Sequence, residues 1–187
     1  MAIAPRRPRA SAVGEVLDAH EQASARFRGI RHAAGWDEAD EIRNSHTRPF
    51  QHLLADARFR EGFAELAPRG MSFEAWLYHP QIAELTELAR AFPDTTIILN
   101  HYGGPLGIGP YAGRLDEVFE VWKPTVAALA SCPNVVAKLG GLAMPVNGFD
   151  WHKRAAPPGS PELAASQRRY VMHIIDCFGP ERCMFES

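Results

Sequence analysis

A histidine at the end of an apolar segment is the strongest chemical signal in this sequence. His101 follows the β-branched run 95–99 and precedes a Gly-Gly-Pro sequence at 103–105. Active sites of parallel α/β folds lie at the carboxyl ends of the strands, where an imidazole can bind a metal or transfer a proton. Strand alternation predicts that His101 shares the face of Ile97 and Leu99 and points into the mouth of a barrel. The alternative is a structural loop histidine hydrogen-bonded to a carbonyl.

Two other predicted strands also end in polar groups. Arg31 and His32 end one of them, His79 ends the next, and Gln81 lies in the turn that follows. Because neighbouring residues of a strand face opposite ways, at most one of Arg31 and His32 can enter a shared site. We favour Arg31, since a guanidinium is costly to bury without an oxygen partner. A salt bridge from Arg31 to a neighbouring glutamate is the structural alternative.

Lys138 lies within an apolar segment, 134–139, and is expected to have a structural role. A lysine there either pairs with an acid or extends its ammonium group to the rim, and we do not expect it to be a carboxylated ligand joining two metals. Gly140 and Gly141 would allow a ligand or loop to approach the strand end closely. The G-x-G-x-x-A match at 107–112 starts too far after its strand and contains a proline, which argues against nucleotide binding.

Helical and strand patterns alternate along the chain, which predicts an α/β fold with a mainly parallel sheet. A doubly wound sheet and part of a (β/α)8 barrel both agree with this order. At roughly 31 residues per unit of a complete barrel, the chain would supply five or six of eight units. The predicted helices are 13–24 (capped by Ser11), 49–66, 80–92, 115–129 (kinked at Pro124) and 160–178, and the predicted strands are 27–33, 73–79, 95–99, 134–139 and 182–186.

Composition narrows the class of protein. The 187 residues include 20 Lys plus Arg and 22 Asp plus Glu, a net charge of −2, which offers no field for nucleic acid or an anionic membrane. No apolar run reaches the roughly 18 residues of a membrane span. Three cysteines without metal-ligand spacing indicate neither a disulfide framework nor a thiolate site, and fit a cytoplasmic protein. Residues 1–10 are basic, proline-broken and unlike a signal peptide, and are expected to be a disordered tail or a boundary artefact before a domain at 11–187.

Several of these segments, in order, resemble the amidohydrolase-related family of TIM-barrel hydrolases, and most closely its lactonase-like branch. The similarity runs from about residue 13 to residue 187. It is carried by Phe-Arg-Gly-Ile-Arg-His at 27–32, Ser-Phe-Glu-Ala-Trp-Leu-Tyr-His-Pro-Gln at 72–81, Ile-Leu-Asn-His-Tyr-Gly-Gly-Pro at 98–105, Asn-Val-Val-Ala-Lys-Leu-Gly-Gly at 134–141 and Phe-Gly-Pro-Glu-Arg-Cys-Met-Phe-Glu-Ser at 178–187.

The resemblance implies a (β/α)8 barrel that adds water to the carbonyl of a lactone or similar cyclic ester. It implies a small-molecule substrate, either with a divalent metal, zinc or manganese, or without one. His101 resembles the middle-strand histidine, a catalytic residue and metal ligand. Arg31 resembles the arginine that binds a substrate carboxylate or carbonyl oxygen, and His79 with Gln81 resembles a substrate-facing turn.

The sequence departs from the family pattern at both ends. No His-x-His or Glu-x-His pair precedes Phe27, and the sequence stops at Glu186-Ser187, before the family's aspartate. We therefore expect an incomplete barrel, with the first strands and the last strand missing, that is inactive by itself. Alternatives are a metal-dependent non-oxidative decarboxylase of an aromatic acid and an inactive fragment or binding module; an oligomer remains open.

Overall fold

The structure, a computed structural model, describes residues 12–185, in which helices and parallel strands alternate. The predicted cap Ser11, the predicted tail at 1–10 and Glu186 lie outside the described residues. Short 3-10 turns connect the longer elements. The helices are α1 (Ala12–Ala23), α2 (Ala57–Phe63), α3 (Ile82–Ala91), α4 (Leu115–Ala130) and α5 (Ser160–Phe178), and the strands are β1 (Gly29–Ala33), β2 (Ser72–Trp76), β3 (Ile97–Leu99), β4 (Val135–Leu139) and β5 (Cys183–Phe185).

The five strands form one parallel sheet in the order β1-β2-β3-β4-β5. A doubly wound sheet would reverse its strand order at a switch point, whereas a barrel adds each new strand beside the previous one. The observed order therefore decides between the two predicted architectures. The fold is α/β and corresponds to part of a (β/α) barrel.

The two faces of this sheet differ in what covers them. Ile97 and Leu99 of β3 are fully buried in a core that also contains Leu88 of α3 and Trp122 of α4. Within the described part of the chain, the other face of the sheet has no helix layer over it, and most of its side chains are exposed or half-buried. It carries residues on neighbouring strands that lie side by side, among them Arg31, Glu74, Ile98 and Lys138. We call this second face the open face of the sheet. In a closed barrel it is the interior.

The predicted helix 49–66 was wrong in its first half. His52 has a left-handed backbone (φ 62°), a single 3-10 turn follows, and α2 begins only at Ala57. Asp56 fixes this start, because its side chain accepts a hydrogen bond from the Phe59 amide at 2.9 Å. Phe50, which a helix over 49–66 would place on its apolar face, is exposed.

The second strand was predicted too long at its carboxyl end. β2 ends at Trp76, and His79 and Gln81 lie in a 3-10 turn before α3. The Gln81 side chain accepts a hydrogen bond from the Tyr78 amide at 3.2 Å, which diverts that amide from the sheet. The two residues are therefore turn residues at the edge of the sheet.

Other predictions agree with the structure more closely. α5 spans the predicted 160–178, and α4 includes Pro124, where the predicted kink stays a prediction. Cys132, Cys177 and Cys183 are free thiols. Within residues 12–185, no helix combines the length and apolar character that crossing a membrane requires.

Candidate active site

A left-handed turn carries His101 away from the sheet. Four consecutive residues after β3 have positive φ, namely His101 (48°), Tyr102 (59°), Gly103 (66°) and Gly104 (53°). The left-handed region is unfavourable for histidine and tyrosine, by roughly 1 kcal/mol or more each. The indole of Trp122 donates to the Tyr102 carbonyl at 2.7 Å and helps to hold the turn. Such strain is typical of functional segments.

The predicted reason for the direction of His101 was wrong, although its position at the carboxyl edge of the sheet is as expected. β3 ends at Leu99, so alternation does not extend to residue 101. In addition, the face of Ile97 and Leu99 is the helix-packed face. The left-handed backbone, and not strand alternation, sets the direction of the imidazole.

The imidazole of His101 lies against the turn that follows β4. Its Nδ1 is 3.2 Å from the Gly140 carbonyl oxygen, and the side chain is half-buried. Because a carbonyl only accepts hydrogen bonds, this contact requires a proton on Nδ1. In the neutral ring Nε2 then carries the lone pair, which is the atom able to bind a metal or accept a hydrogen bond from water.

An ion cluster occupies the open face below this edge. Glu74 of β2 accepts hydrogen bonds from Arg31 Nε of β1 at 2.8 Å and from Lys138 Nζ of β4 at 2.7 Å. Arg31 Nη2 also contacts the same carboxylate oxygen. Glu74 is thus the glutamate that was the structural alternative for Arg31, and it is also the acid partner expected for Lys138. His32 faces the other way and packs against Phe59, as expected from alternation.

Glu74 is the residue of this cluster that sequence reasoning missed. Its side chain is 19% exposed, and Lys138 is 16% exposed. Burial raises the pKa of Glu74, but hydrogen bonds from Lys138 and Arg31 outweigh it and leave the pKa below its usual value. The available signal was a carboxylate inside the apolar strand 72–76, two strands before a lysine in a similar setting.

Gln81 braces the main chain around this edge. Its Oε1 accepts from the Trp36 amide at 3.1 Å and from the Tyr78 amide, and its Nε2 donates to the Ala34 carbonyl at 2.7 Å. The side chain also lines a cavity of about 290 Å³ between the loops after β1, β2 and β3. These hydrogen bonds favour a role of Gln81 in positioning the loops, and substrate binding by Gln81 stays a prediction.

The Gln81→Leu substitution is expected to lower the free energy of unfolding by about 3 kcal/mol. Leucine leaves two amides and one carbonyl without the side-chain partner, and each buried unpaired group costs roughly 1–3 kcal/mol. Urea unfolding measures the change. Gln51→Leu, at an exposed residue on the same cavity, is the matched control and should change stability by less than about 0.5 kcal/mol. Equal stability of the two variants would contradict the bracing role.

His79 is buried in the same turn as a neutral ring. Its exposed fraction is 4%, its Nδ1 accepts from the Leu106 amide at 3.3 Å, and its ring packs edge-on against Tyr111. Burial lowers the pKa of His79 to about 4, although Asp37 raises it slightly. The acceptor role of Nδ1 requires the neutral form with the proton on Nε2.

This histidine should make the folded state sensitive to acid. Between pH 6.5 and 4 the unfolded chain binds a proton at residue 79 and the folded chain does not, so stability falls as the pH is lowered through this window, by about 3 kcal/mol. His79→Asn keeps an acceptor near the Nδ1 position and removes the titration. Urea midpoints measured from pH 7 to 4 should fall less in the variant, and identical slopes would show that His79 is not the cause.

The described residues do not by themselves fit a metal centre. Between residues 12 and 185, no three His, Cys, Asp or Glu side chains come together as a ligand set. His101 supplies one suitable nitrogen, and the Glu74 carboxylate is already hydrogen-bonded to the cationic Arg31 and Lys138.

A parallel sheet in barrel order, with a strained histidine turn at its carboxyl edge and an ion cluster on its open face, defines a barrel protein with an enzyme-like site. Residues 4–187 match the amidohydrolase family, so the chain belongs to that family. The resemblance inferred from the sequence segments is thereby confirmed.

Two curated relatives match most of this chain. An uncharacterized protein of Sinorhizobium fredii is 38% identical over 175 residues, which is 94% of this chain and 51% of that protein. The L-fucono-1,5-lactonase of Burkholderia multivorans is 29% identical over 171 residues, 89% of this chain and 50% of the relative. The chain therefore spans about half the length of the curated relatives it matches.

The solved structures support the fold. A Burkholderia multivorans amidohydrolase crystallised with bound zinc superposes with a TM-score of 0.68 at 23% identity, covering 90% of this chain and 53% of that chain. Amidohydrolase 2 from Bifidobacterium longum gives a TM-score of 0.52 at 22% identity over 92% of this chain and 59% of the other. The zinc belongs to the first of these structures.

Proposed function

We propose that the natural protein containing this chain hydrolyses a lactone or similar cyclic ester. The observation that carries the proposal is His101, held at the carboxyl edge of the sheet with its Nδ1 on the Gly140 carbonyl. The L-fucono-1,5-lactonase relative supports the substrate class. A cytoplasmic location and a small-molecule substrate without nucleic acid or membrane partners belong to the same proposal.

The reaction adds water to the ester carbonyl and breaks the ring C–O bond, which gives a hydroxy acid. With its lone pair on Nε2, His101 accepts a hydrogen bond from the attacking water and orients it toward the carbonyl carbon. Arg31 binds an anionic substituent of the substrate, and Glu74 fixes the guanidinium at the rim. The base that takes the water proton is assigned to none of these residues.

His79 and Gln81 enter the proposal as residues that shape the substrate-facing turn. The rings of His79 and Tyr111 pack in a T-shaped arrangement, and Gln81 fixes the main chain on both sides of the cavity between the loops. The metal-dependent route, with zinc or manganese and His101 as one ligand, is a further proposal that the family resemblance implies. Adding either metal to chelator-treated protein and measuring turnover tests it.

Lactone turnover tests the main proposal. The natural protein is incubated with five- and six-membered lactones with and without a carboxylate, and acid release is followed with a pH indicator. Hydrolysis faster than by a His101→Ala variant, with a preference for carboxylated lactones that is reduced in Arg31→Met, is expected. Release of carbon dioxide from aromatic acids without lactone turnover would replace this function by decarboxylation.

A further inference from the structure

The backbone of Gly141 lies directly against the His101 ring. A Cβ atom built on Gly141 would be 2.1 Å from His101 Nδ1, 2.6 Å from Cγ and 2.8 Å from Cε1. Carbon atoms do not approach ring atoms this closely, so any side chain at position 141 must displace the imidazole. Gly141 also has a left-handed backbone (φ 80°), which glycine adopts without strain.

We propose that Gly141 is a positioning residue for His101, and that the Gly140-Gly141 turn selects the tautomer that presents Nε2 to the substrate. The inference rests on the proposed function and deepens it. Gly140 supplies the carbonyl that accepts the Nδ1 proton. Gly141 has no side chain, which leaves the His101 ring room to make that hydrogen bond.

The main chain that bears the His101 ring is held in place by contacts that do not involve Gly141. The main chain at 101–104 is held by hydrogen bonds from Trp122 Nε1 to Tyr102 O, from Gly104 N to His101 O at 2.9 Å, and from His79 N to Gly104 O at 3.1 Å. A Cβ on Gly104 would be 2.3 Å from the Leu77 carbonyl, so this backbone has little room to shift. When Gly141 carries a side chain, the imidazole rotates away, because the turn that bears it cannot move.

The Gly141→Ala variant tests this role, with Gly113→Ala as its matched control. Gly113 also has positive φ (73°), but a Cβ there meets nothing within 4 Å. Both variants carry the backbone strain of a left-handed alanine and should melt about 2–4 °C below the natural protein. Lactone kcat is expected to fall at least 30-fold in Gly141→Ala, with a smaller change in KM, and to stay within twofold in Gly113→Ala.

Nitrogen-15 NMR of the His101 ring supplies a readout that does not need turnover. The neutral ring of the natural protein should show a protonated Nδ1 and an unprotonated Nε2, and this pattern should be lost in Gly141→Ala and kept in Gly113→Ala. A proton on Nε2 in the natural protein would overturn the proposal, even if Gly141→Ala fails to fold. An unchanged tautomer and rate in folded Gly141→Ala would overturn it as well.

The two readouts separate this inference from the proposed function. If no lactone is hydrolysed but the tautomer pattern follows the expectation, the reaction class is wrong and the positioning of His101 stands. If lactones are hydrolysed but the proton lies on Nε2, the reaction class stands and the positioning role of Gly141 is wrong.

Discussion

Replacing His101 by alanine should lower kcat/KM for lactone hydrolysis by at least about 100-fold while changing the free energy of unfolding by less than about 1 kcal/mol. A group that orients the attacking water is typically worth a factor of about 100 or more in rate. The imidazole is half-buried at the rim of the sheet and its loss leaves no large cavity, so a small stability cost is expected.

His101→Asn is the matched control for the backbone. Asparagine tolerates the left-handed region better than most residues, and its amide can donate to the Gly140 carbonyl in place of Nδ1. The variant therefore keeps the turn but lacks Nε2, and it should be as inactive as His101→Ala. Thermal midpoints and rates per folded molecule decide the matter. A destabilised variant with full activity would make His101 a structural residue.

Loss of the Glu74 carboxylate should have a large effect on the free energy of unfolding. Glu74→Leu removes the shared partner of Arg31 and Lys138 and is expected to cost about 2–4 kcal/mol, since breaking a largely buried ion pair leaves charge without that partner. Lys138→Met alone should cost less, because Glu74 keeps Arg31. The double variant Glu74→Leu with Lys138→Met should recover part of the loss.

Glu87→Leu is the matched control for a surface ion pair. Glu87 contacts Arg90 at 2.7 Å, but the two side chains are 62% and 54% exposed, so the change should stay below about 0.5 kcal/mol. Urea unfolding of the four variants completes the comparison. Similar losses in Glu74→Leu and Glu87→Leu would show that the cluster on the open face contributes no more than a surface pair.

The Glu74 contribution should also depend on pH in a defined direction. Its pKa is below the usual value in the folded state, so the stability that it supplies is fully present above its unfolded pKa of about 4.3 and is lost as the pH falls through the folded pKa. The difference in stability between the natural protein and Glu74→Gln should therefore shrink in acid. A difference that grows below pH 4 would contradict this sign.

Much of the fold could be predicted because most elements are governed by local rules. The apolar run 95–99 is typical of a buried strand, and the buried residues of α4 recur at the helical period. Ser160-Pro161 begins α5 as predicted. The segment 49–66 failed because apolar spacing alone does not reveal that Asp56 caps a later helix. A capping residue overrides periodicity at the end of a helix.

The site was less predictable than the fold, since it depends on contacts between distant segments. Arg31 and Lys138 were singled out from their own strands, but their common partner Glu74 is 43 and 64 residues away. The position of His101 after a buried strand was predicted correctly, but the predicted direction of its side chain rested on a strand alternation that ends at Leu99. Histidine and tyrosine usually avoid the left-handed region, so the residue types give no signal that both adopt it after β3.

The order of the sheet has a consequence for how the chain acquires its structure. Among the described residues, each strand after β1 pairs with the one synthesised just before it, so these pairings do not wait for a remote part of the sequence. During translation β2 can dock on β1, and β3 on β2, while later residues are still in the ribosome. Pulse-labelled hydrogen exchange on stalled nascent chains should then show protection spreading from β1 toward β5, one strand at a time.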